Sequence, residues 1–281
     1  MDYKNQNLRG KSFREQDIRN TDFSGSDLRG SDFTGANLAY ANFSNTRSGL
    51  RISSYILIFT VSLLISLLSG YIAMLAGMTY QTMINSADEK VKLAGNITSA
   101  LFIIFIILAV WKGVGFTFKI AFPVILLYLI LGAILKFTGA GTGLGAFFGA
   151  LALCLLVLMF FVGTISRAGA GTLSSNIIFF IVAIGGAMFG RSLGGGLGTV
   201  LLAIACMIIS KRALNGTKGF EILNSVSLKV SSYFGTSFKS ADLTNANFGN
   251  SIVKNTDFTD AKLDGVNWEN AKKSYNVNDT K

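Results

Sequence analysis

The chain has 281 residues, 51% of them hydrophobic and only 14% charged, against about 25% charged in an average soluble chain. It has no His and only two Cys, which excludes His-based catalysis, a His metal site and a disulfide framework. The formal net charge is +10, but the excess lies in residues 51–216, where the cations flank long apolar runs instead of forming a nucleic-acid patch.

Residues 1–47 carry a five-residue repeat. Its centres are Leu8, Phe13, Ile18, Phe23, Leu28, Phe33, Leu38 and Phe43. The preceding residue is usually Asp or Asn, the one before that is small, and Gly or Asn often stands two after the centre. A step of five scatters residues around an α-helix and alternates faces on a strand. Each pentapeptide must therefore contain its own change of direction, which the Gly and Asn positions are suited to supply. The result is a coil with an apolar axis. Aliphatic and aromatic centres alternate, so a four-sided coil of 20 residues would stack like on like, Leu8 under Leu28 and Phe13 under Phe33. A ten-residue period accounts for the alternation equally well.

Residues 48–216 read as a membrane domain of about six helical spans, near 53–77, 95–111, 120–136, 143–165, 173–190 and 194–210. Tyr80-Gln81-Thr82 would lead out of the first. Only Arg191-Ser192-Leu193 separates the last two, which could instead form a hairpin that does not fully cross or one broken helix. With a cytoplasmic N-terminus the inner flanks hold Arg47, Arg51, Lys112, Lys119, Arg167, Lys211, Arg212 and Lys218. The outer flanks hold Lys90, Lys92, Lys136 and Arg191. This asymmetry follows the positive-inside rule and returns both termini to the cytoplasm. Gly141, Gly145 and Gly149, and Gly186, Gly190, Gly194 and Gly198, recur every fourth residue and are expected to pack helices closely, within one bundle or between subunits. A turn at Arg191 would stop the second set from sharing one helix. Arg191 is the one charge expected deep in the last spans and is an interaction candidate. Pro123 could kink the third span, and Cys154 and Cys206 read as packing residues.

Residues 217–281 return to the repeat and end in a polar tail. The centres are Phe238, Leu243, Phe248, Val253, Phe258, Leu263 and Trp268. Lys273 then occupies a core position, as a polar cap would. Segments such as Ser26-Asp27-Leu28-Arg29-Gly30, Ala36-Asn37-Leu38-Ala39-Tyr40 and Ala241-Asp242-Leu243-Thr244-Asn245 resemble the pentapeptide-repeat family. That resemblance implies a right-handed, quadrilateral parallel β-helix. Each half is too short to bury a continuous core alone, so the expected fold is mixed: one β-helix split by an inserted all-α transmembrane bundle. Pairing of halves from different subunits is the rival arrangement.

No phosphate loop, nucleophile elbow or zinc-ligand spacing is present, and no Asp or Glu stands between Lys90 and Phe220. These absences argue against an enzyme, a bound cofactor or metal, and a proton- or cation-coupled carrier. The leading expectation is a non-enzymatic membrane protein whose cytoplasmic β-helix is an interaction scaffold. Arg9 and Arg29, one coil apart, would face a protein partner or lipid headgroup. The alternative is a homo-oligomeric channel or transporter with glycine-lined helix contacts. DNA mimicry, which some soluble family members show, does not suit two short arms of net charge +1 each. The layout is similar to membrane-bound pentapeptide-repeat proteins of cyanobacteria, implying a plasma or thylakoid membrane. The lipid bilayer is then the first partner, and nucleic acid is not one.

Overall fold

A computed structural model describes residues 2–137, 143–189 and 193–273. Backbone contacts divide the chain into two compact units, one of Met1–Ile58 with Leu228–Lys281 and one of Phe59–Ser227.

In the first unit the backbone returns above itself every twenty residues. Parallel bridges join Asn7 to Asp27, Ser12 to Asp32 and Asp17 to Asn37. This settles the period at twenty, since a ten-residue coil would bridge residues ten apart. The direction changes sit where the repeat placed them, two residues after each centre. Gly10, Asn20, Gly25 and Asn45 there have φ between 54° and 71°, the left-handed region that Gly and Asn tolerate. Glu15 and Tyr40 adopt it at the same position. Regular strands are short, two residues each: β1 (Arg47–Ser48), β2 (Thr236–Ser237), β3 (Ile252–Val253), β4 (Thr256–Asp257) and β5 (Lys272–Lys273). The turn every fifth residue leaves room for no more.

The two arms stack on each other within one chain. Phe33, Leu38 and Phe43 donate their N–H groups to the carbonyls of Ser237, Asp242 and Asn247 at 2.7, 2.7 and 2.6 Å. Parallel pairing continues as β1–β3–β5 and β2–β4. The third coil is therefore composite: the first arm supplies one side, Arg47–Ser48, and the second arm supplies the others. The chain leaves this coil at Gly49 and rejoins it at Thr236, and these two residues touch. Gly49 N–H donates to Thr236 Oγ1 at 2.9 Å, and that hydroxyl donates to Leu28 O at 2.7 Å. Gly49 has φ 131°, and a Cβ there would strike the Lys254 carbonyl, so no other residue suits this exit.

The interior follows from the repeat. Phe13, Phe33, Phe238 and Phe258 form one aromatic column, with successive rings 4.8–5.2 Å apart and nearly parallel. Phe23, Phe43, Phe248 and Trp268 form a second, 4.7–4.9 Å apart, and Tyr3 stacks beneath it. Leu8, Ile18, Leu28, Leu38, Leu243 and Val253 fill the other sides, all buried, and Leu263 is partly buried. Small residues beside the centres, Ser31, Ala41, Thr236 and Ala246, are fully buried. Past Trp268, Lys272 and Lys273 still pair with Ile252 and Val253, and Lys273 is exposed, its Nζ 4.1 Å from the Trp268 ring centroid.

The second unit is built from α1 (Ile52–Ile84, shared with the first unit), α2 (Glu89–Lys112), α3 (Val114–Phe137), α4 (Gly143–Ala170), α5 (Thr172–Phe189) and α6 (Leu193–Leu214). Among the described residues, five of these helices are long and apolar enough to cross a membrane, against about six expected. α5, the shortest of the six, has 18 residues. α1 runs past the expected end at residue 77 to Ile84, so Tyr80 and Gln81 are helical instead of leading out. Pro123 lies inside α3, which starts at Val114. The outer face of the unit is apolar, and several hydroxyls lie inside it. Leu64, Ile104, Leu127, Leu158 and Phe180 point outward, while Ser66, Thr98, Thr117, Thr164, Thr199 and Ser210 are buried. This is the surface of a protein embedded in a membrane.

Gly149, Gly186, Gly194 and Gly198 of the four-residue series pack within the chain. Gly186 belongs to α5, Gly194 and Gly198 to α6, so the series does not share one helix. A Cβ on Gly194 would meet the Gly77 carbonyl of α1 at 2.5 Å, one on Gly198 the Ala73 carbonyl at 3.0 Å, and one on Gly186 the Thr199 side chain of α6. Gly149 abuts Thr98 and Met83. Gly145 lies in the first turn of α4; Gly141, Gly190 and Arg191 lie outside the described residues. The segment expected to be repeat from residue 217 begins instead with a further helix, α7 (Glu221–Tyr233). Residues 222, 223, 226 and 230 carry its helical apolar spacing, and Glu221 accepts the Gly219 N–H at 2.8 Å at its start.

Two outcomes follow. In a chain with Cys154 and Cys206 replaced by Ala, Asn42→Cys with Asn247→Cys is expected to give an intramolecular product with a short bifunctional thiol reagent, because those side chains lie 3.3 Å apart. Electrophoresis under denaturing conditions reads it, and dimers alone would mean that halves pair between subunits. Gly194→Val should destabilise the helical unit by about 1–3 kcal/mol through overpacking, measured by thermal unfolding in detergent. Gly185→Ala, which faces open space, should not.

Candidate functional site

The repeat arms present one strongly basic side. Register places Asn7, Asp27, Arg47, Ile252 and Lys272 in a single column. Arg9, Arg29 and Lys254 stand two residues after Asn7, Asp27 and Ile252, on the same side. Arg51 lies against Gly10 and Gly30, whose missing side chains leave it a slot; a Cβ on Gly30 would meet the Arg51 chain at 2.5 Å. Among the described residues the side thus gathers Arg9, Arg29, Arg47, Arg51, Lys254 and Lys272 around the single acid Asp27.

Arg9 and Arg29 lie together, and both are tied to Asp27. Arg9 donates through Nε at 2.8 Å and a terminal nitrogen at 2.6 Å. Arg29 donates through Nε at 2.9 Å and a terminal nitrogen at 2.7 Å. The Arg29 N–H also reaches Asp27 Oδ1 at 3.2 Å. Similar pairs join Arg14 to Asp32 and Arg19 to Asp17. Partial burial acts to raise the Asp27 pKa, but the hydrogen bonds from Arg29 and Arg9 outweigh it and hold this carboxyl well below its usual range. Asp32 is lowered on the same balance of burial against bonds from Thr34 and Arg14. Asp22, Asp242 and Glu221 are lowered too, chiefly by hydrogen bonds from residues close in sequence.

Inside the helical unit the charge to notice is Arg167. The flank count placed it at a membrane edge; the structure instead buries it at 2% exposure. From α4 its Nε donates to Ser66 Oγ of α1 at 3.2 Å, and one terminal nitrogen donates to the Ala203 carbonyl of α6 at 3.2 Å. The burial was hidden because nothing in the local sequence separates a residue near a helix end from one reaching inward. Arg212, also counted as a flank, donates to the Val110 carbonyl and lies 6.0 Å from the Phe220 ring centroid.

A crevice of about 410 Å³ opens between α1, α2, α4 and α6, lined by Gly77, Tyr80, Gln81, Ser99, Phe102 and Leu201 among others. Gln81 accepts the Gly194 N–H at 2.7 Å. The Tyr80 hydroxyl is buried with no hydrogen-bond partner among the described residues. No member of this lining is charged.

A family model described as pentapeptide repeats matches the chain in eight copies, over residues 4–35, 17–47 and 241–272. No curated protein and no solved structure matches.

The lowered carboxylates predict an acid limit. A carboxylate whose folded pKa lies below its unfolded value contributes stability above the unfolded value and loses it as pH falls through the folded one. Hydrogen exchange of amides 8–48 in the full chain should be constant from about pH 7 to 5, after correction for intrinsic rates, and lose protection below about pH 4. Asp27→Asn should cost about 1–2 kcal/mol at neutral pH and flatten that acid dependence.

Proposed function

We propose that this pentapeptide-repeat protein is a non-enzymatic integral membrane protein whose repeat arms form a right-handed, four-sided parallel β-helix that acts as an interaction scaffold. The twenty-residue register, the left-handed turn residues and the two aromatic columns support that geometry. The observation that carries the reading is the composite third coil. Two arms at opposite ends of the sequence build one rigid body, and that body contains no catalytic constellation that the sequence could identify.

Parity supports the topology. Because both arms enter one stack, the inserted segment must begin and end on the same side of the membrane. Five crossings would separate the arms, so α5 crosses as well; its 18 residues rise about 27 Å, close to the hydrocarbon thickness. The basic flanks of Arg47, Arg51, Lys112, Lys119, Lys211 and Lys218 then favour the cytoplasm for both termini. Loss of Arg167 from the flank set leaves that majority in place.

The basic side is the recognition surface, and its partner is an acidic segment of another protein. Charge complementarity sets specificity and rate there. Reversing Arg9 and Arg29 would also break the bonds to Asp27, so Lys254→Glu with Lys272→Glu is the cleaner variant. Captures from native membranes with the wild-type and doubly reversed chains should differ, recovery of acidic partners falling at least fivefold. An unchanged set of partners, with amide protection of the stack intact, would discard the surface.

The glycine contacts found within the chain give no support to an oligomeric pore. The channel or transporter reading keeps one specific observation in its favour, the buried cation Arg167.

A further inference from the structure

We infer that Arg167 and Ser66 hold a small inorganic monovalent anion, of halide size, inside the helical unit. This goes beyond the scaffold reading and does not depend on it. The guanidinium is 2% exposed and Ser66 is fully buried. A guanidinium stays protonated in proteins, so Arg167 cannot escape burial by losing its charge, as a lysine can. Its two hydrogen-bond acceptors, Ser66 Oγ and the Ala203 carbonyl, are neutral. From Lys90 to Phe220 the sequence holds no Asp or Glu at all. No carboxylate of the bundle interior can therefore supply a counter-charge, and a lone buried cation is strongly disfavoured.

Position excludes the usual remedy of reaching the membrane surface. Ala203 precedes Lys211 by eight residues, a rise of about 12 Å along α6. Ser66 lies 14 residues into α1, about 21 Å from its start. The head of Arg167 thus docks against the middle of two helices, where a snorkelling side chain would not be.

The neighbouring hydroxyls distinguish Ser66. Ser62 donates to the Ser166 carbonyl, Ser69 to the Met159 carbonyl and Thr164 to the Phe161 carbonyl. Ser66 accepts from Arg167 and donates to no oxygen among the described residues. A guanidinium with N–H groups to spare beside a hydroxyl with a free O–H is a donor set for an anion. One cation matches one negative charge, and the close burial suits a spherical ion better than a lipid phosphate.

The test uses the full chain purified in detergent, with thermal unfolding followed in sodium chloride and in sodium gluconate at equal ionic strength. A ligand that binds only the folded state raises the unfolding temperature with its concentration. The wild type should unfold higher in chloride, the shift growing with the logarithm of chloride concentration, and bromide should substitute. Arg167→Gln should reduce the chloride shift at least tenfold in apparent affinity, and Arg167→Lys should retain part of it. If Arg167→Gln does not fold, Ser66→Ala, which keeps the cation, decides by the same reading. Equal unfolding in chloride and gluconate, or a full chloride shift retained in the deciding variant, would overturn the inference.

Discussion

The hydrogen bonds that join one arm to the other are the constraint on which the rest depends. Neither arm alone completes more than about two coils, and a short stack exposes much of its core at its ends. When Phe33, Leu38 and Phe43 donate to Ser237, Asp242 and Asn247, the aromatic columns run unbroken across the junction. The same bonds bring both ends of the inserted segment to one place. The composite coil and the clustering of cations on one side both follow from that junction. Had the arms paired in another register, Asp27 and Arg47 would not share a column with Ile252 and Lys272.

The stack was legible because its pattern is local and repetitive. Each pentapeptide states its own core residue, small neighbour and turn residue, so Leu8 to Phe43 and Phe238 to Val253 could be placed inward before any coordinates. What a repeat cannot state is its own vertical register. Ten and twenty residues predict the same alternation of Leu and Phe, and only the backbone pairing separates them. The helix α7 escaped because it opens a segment whose dominant pattern is the five-residue one, although Ile222, Leu223, Val226 and Val230 keep helical spacing.

The membrane unit was legible in class and less so in detail. Apolar length located the helices with ends off by up to about seven residues, and Gly149, Gly186, Gly194 and Gly198 of the four-residue series lie close to neighbouring helices. Spacing did not find their partners. Gly77, the counterpart of Gly194, belongs to no four-residue series and is visible only as the place where α6 approaches. Arg167 shows the limit most clearly. A cation near the end of an apolar run satisfies the rule for an inner flank, yet its side chain bridges α1 and α6. Hydropathy records where a residue sits along its helix and carries nothing about which neighbour it faces. In a unit whose buried hydroxyls and cation lie among apolar helices, that missing information is where chemistry resides.

The contact between Gly49 and Thr236 has an evolutionary consequence. A segment whose two ends meet at one corner of a coil behaves as a cartridge: it can be lost, gained or exchanged with no change in the stack that carries it. A continuous soluble stack and a membrane-anchored one then differ by a single genetic insertion at a single turn. The glycine with φ 131° marks the seam, since an uninterrupted pentapeptide has no need of that conformation there.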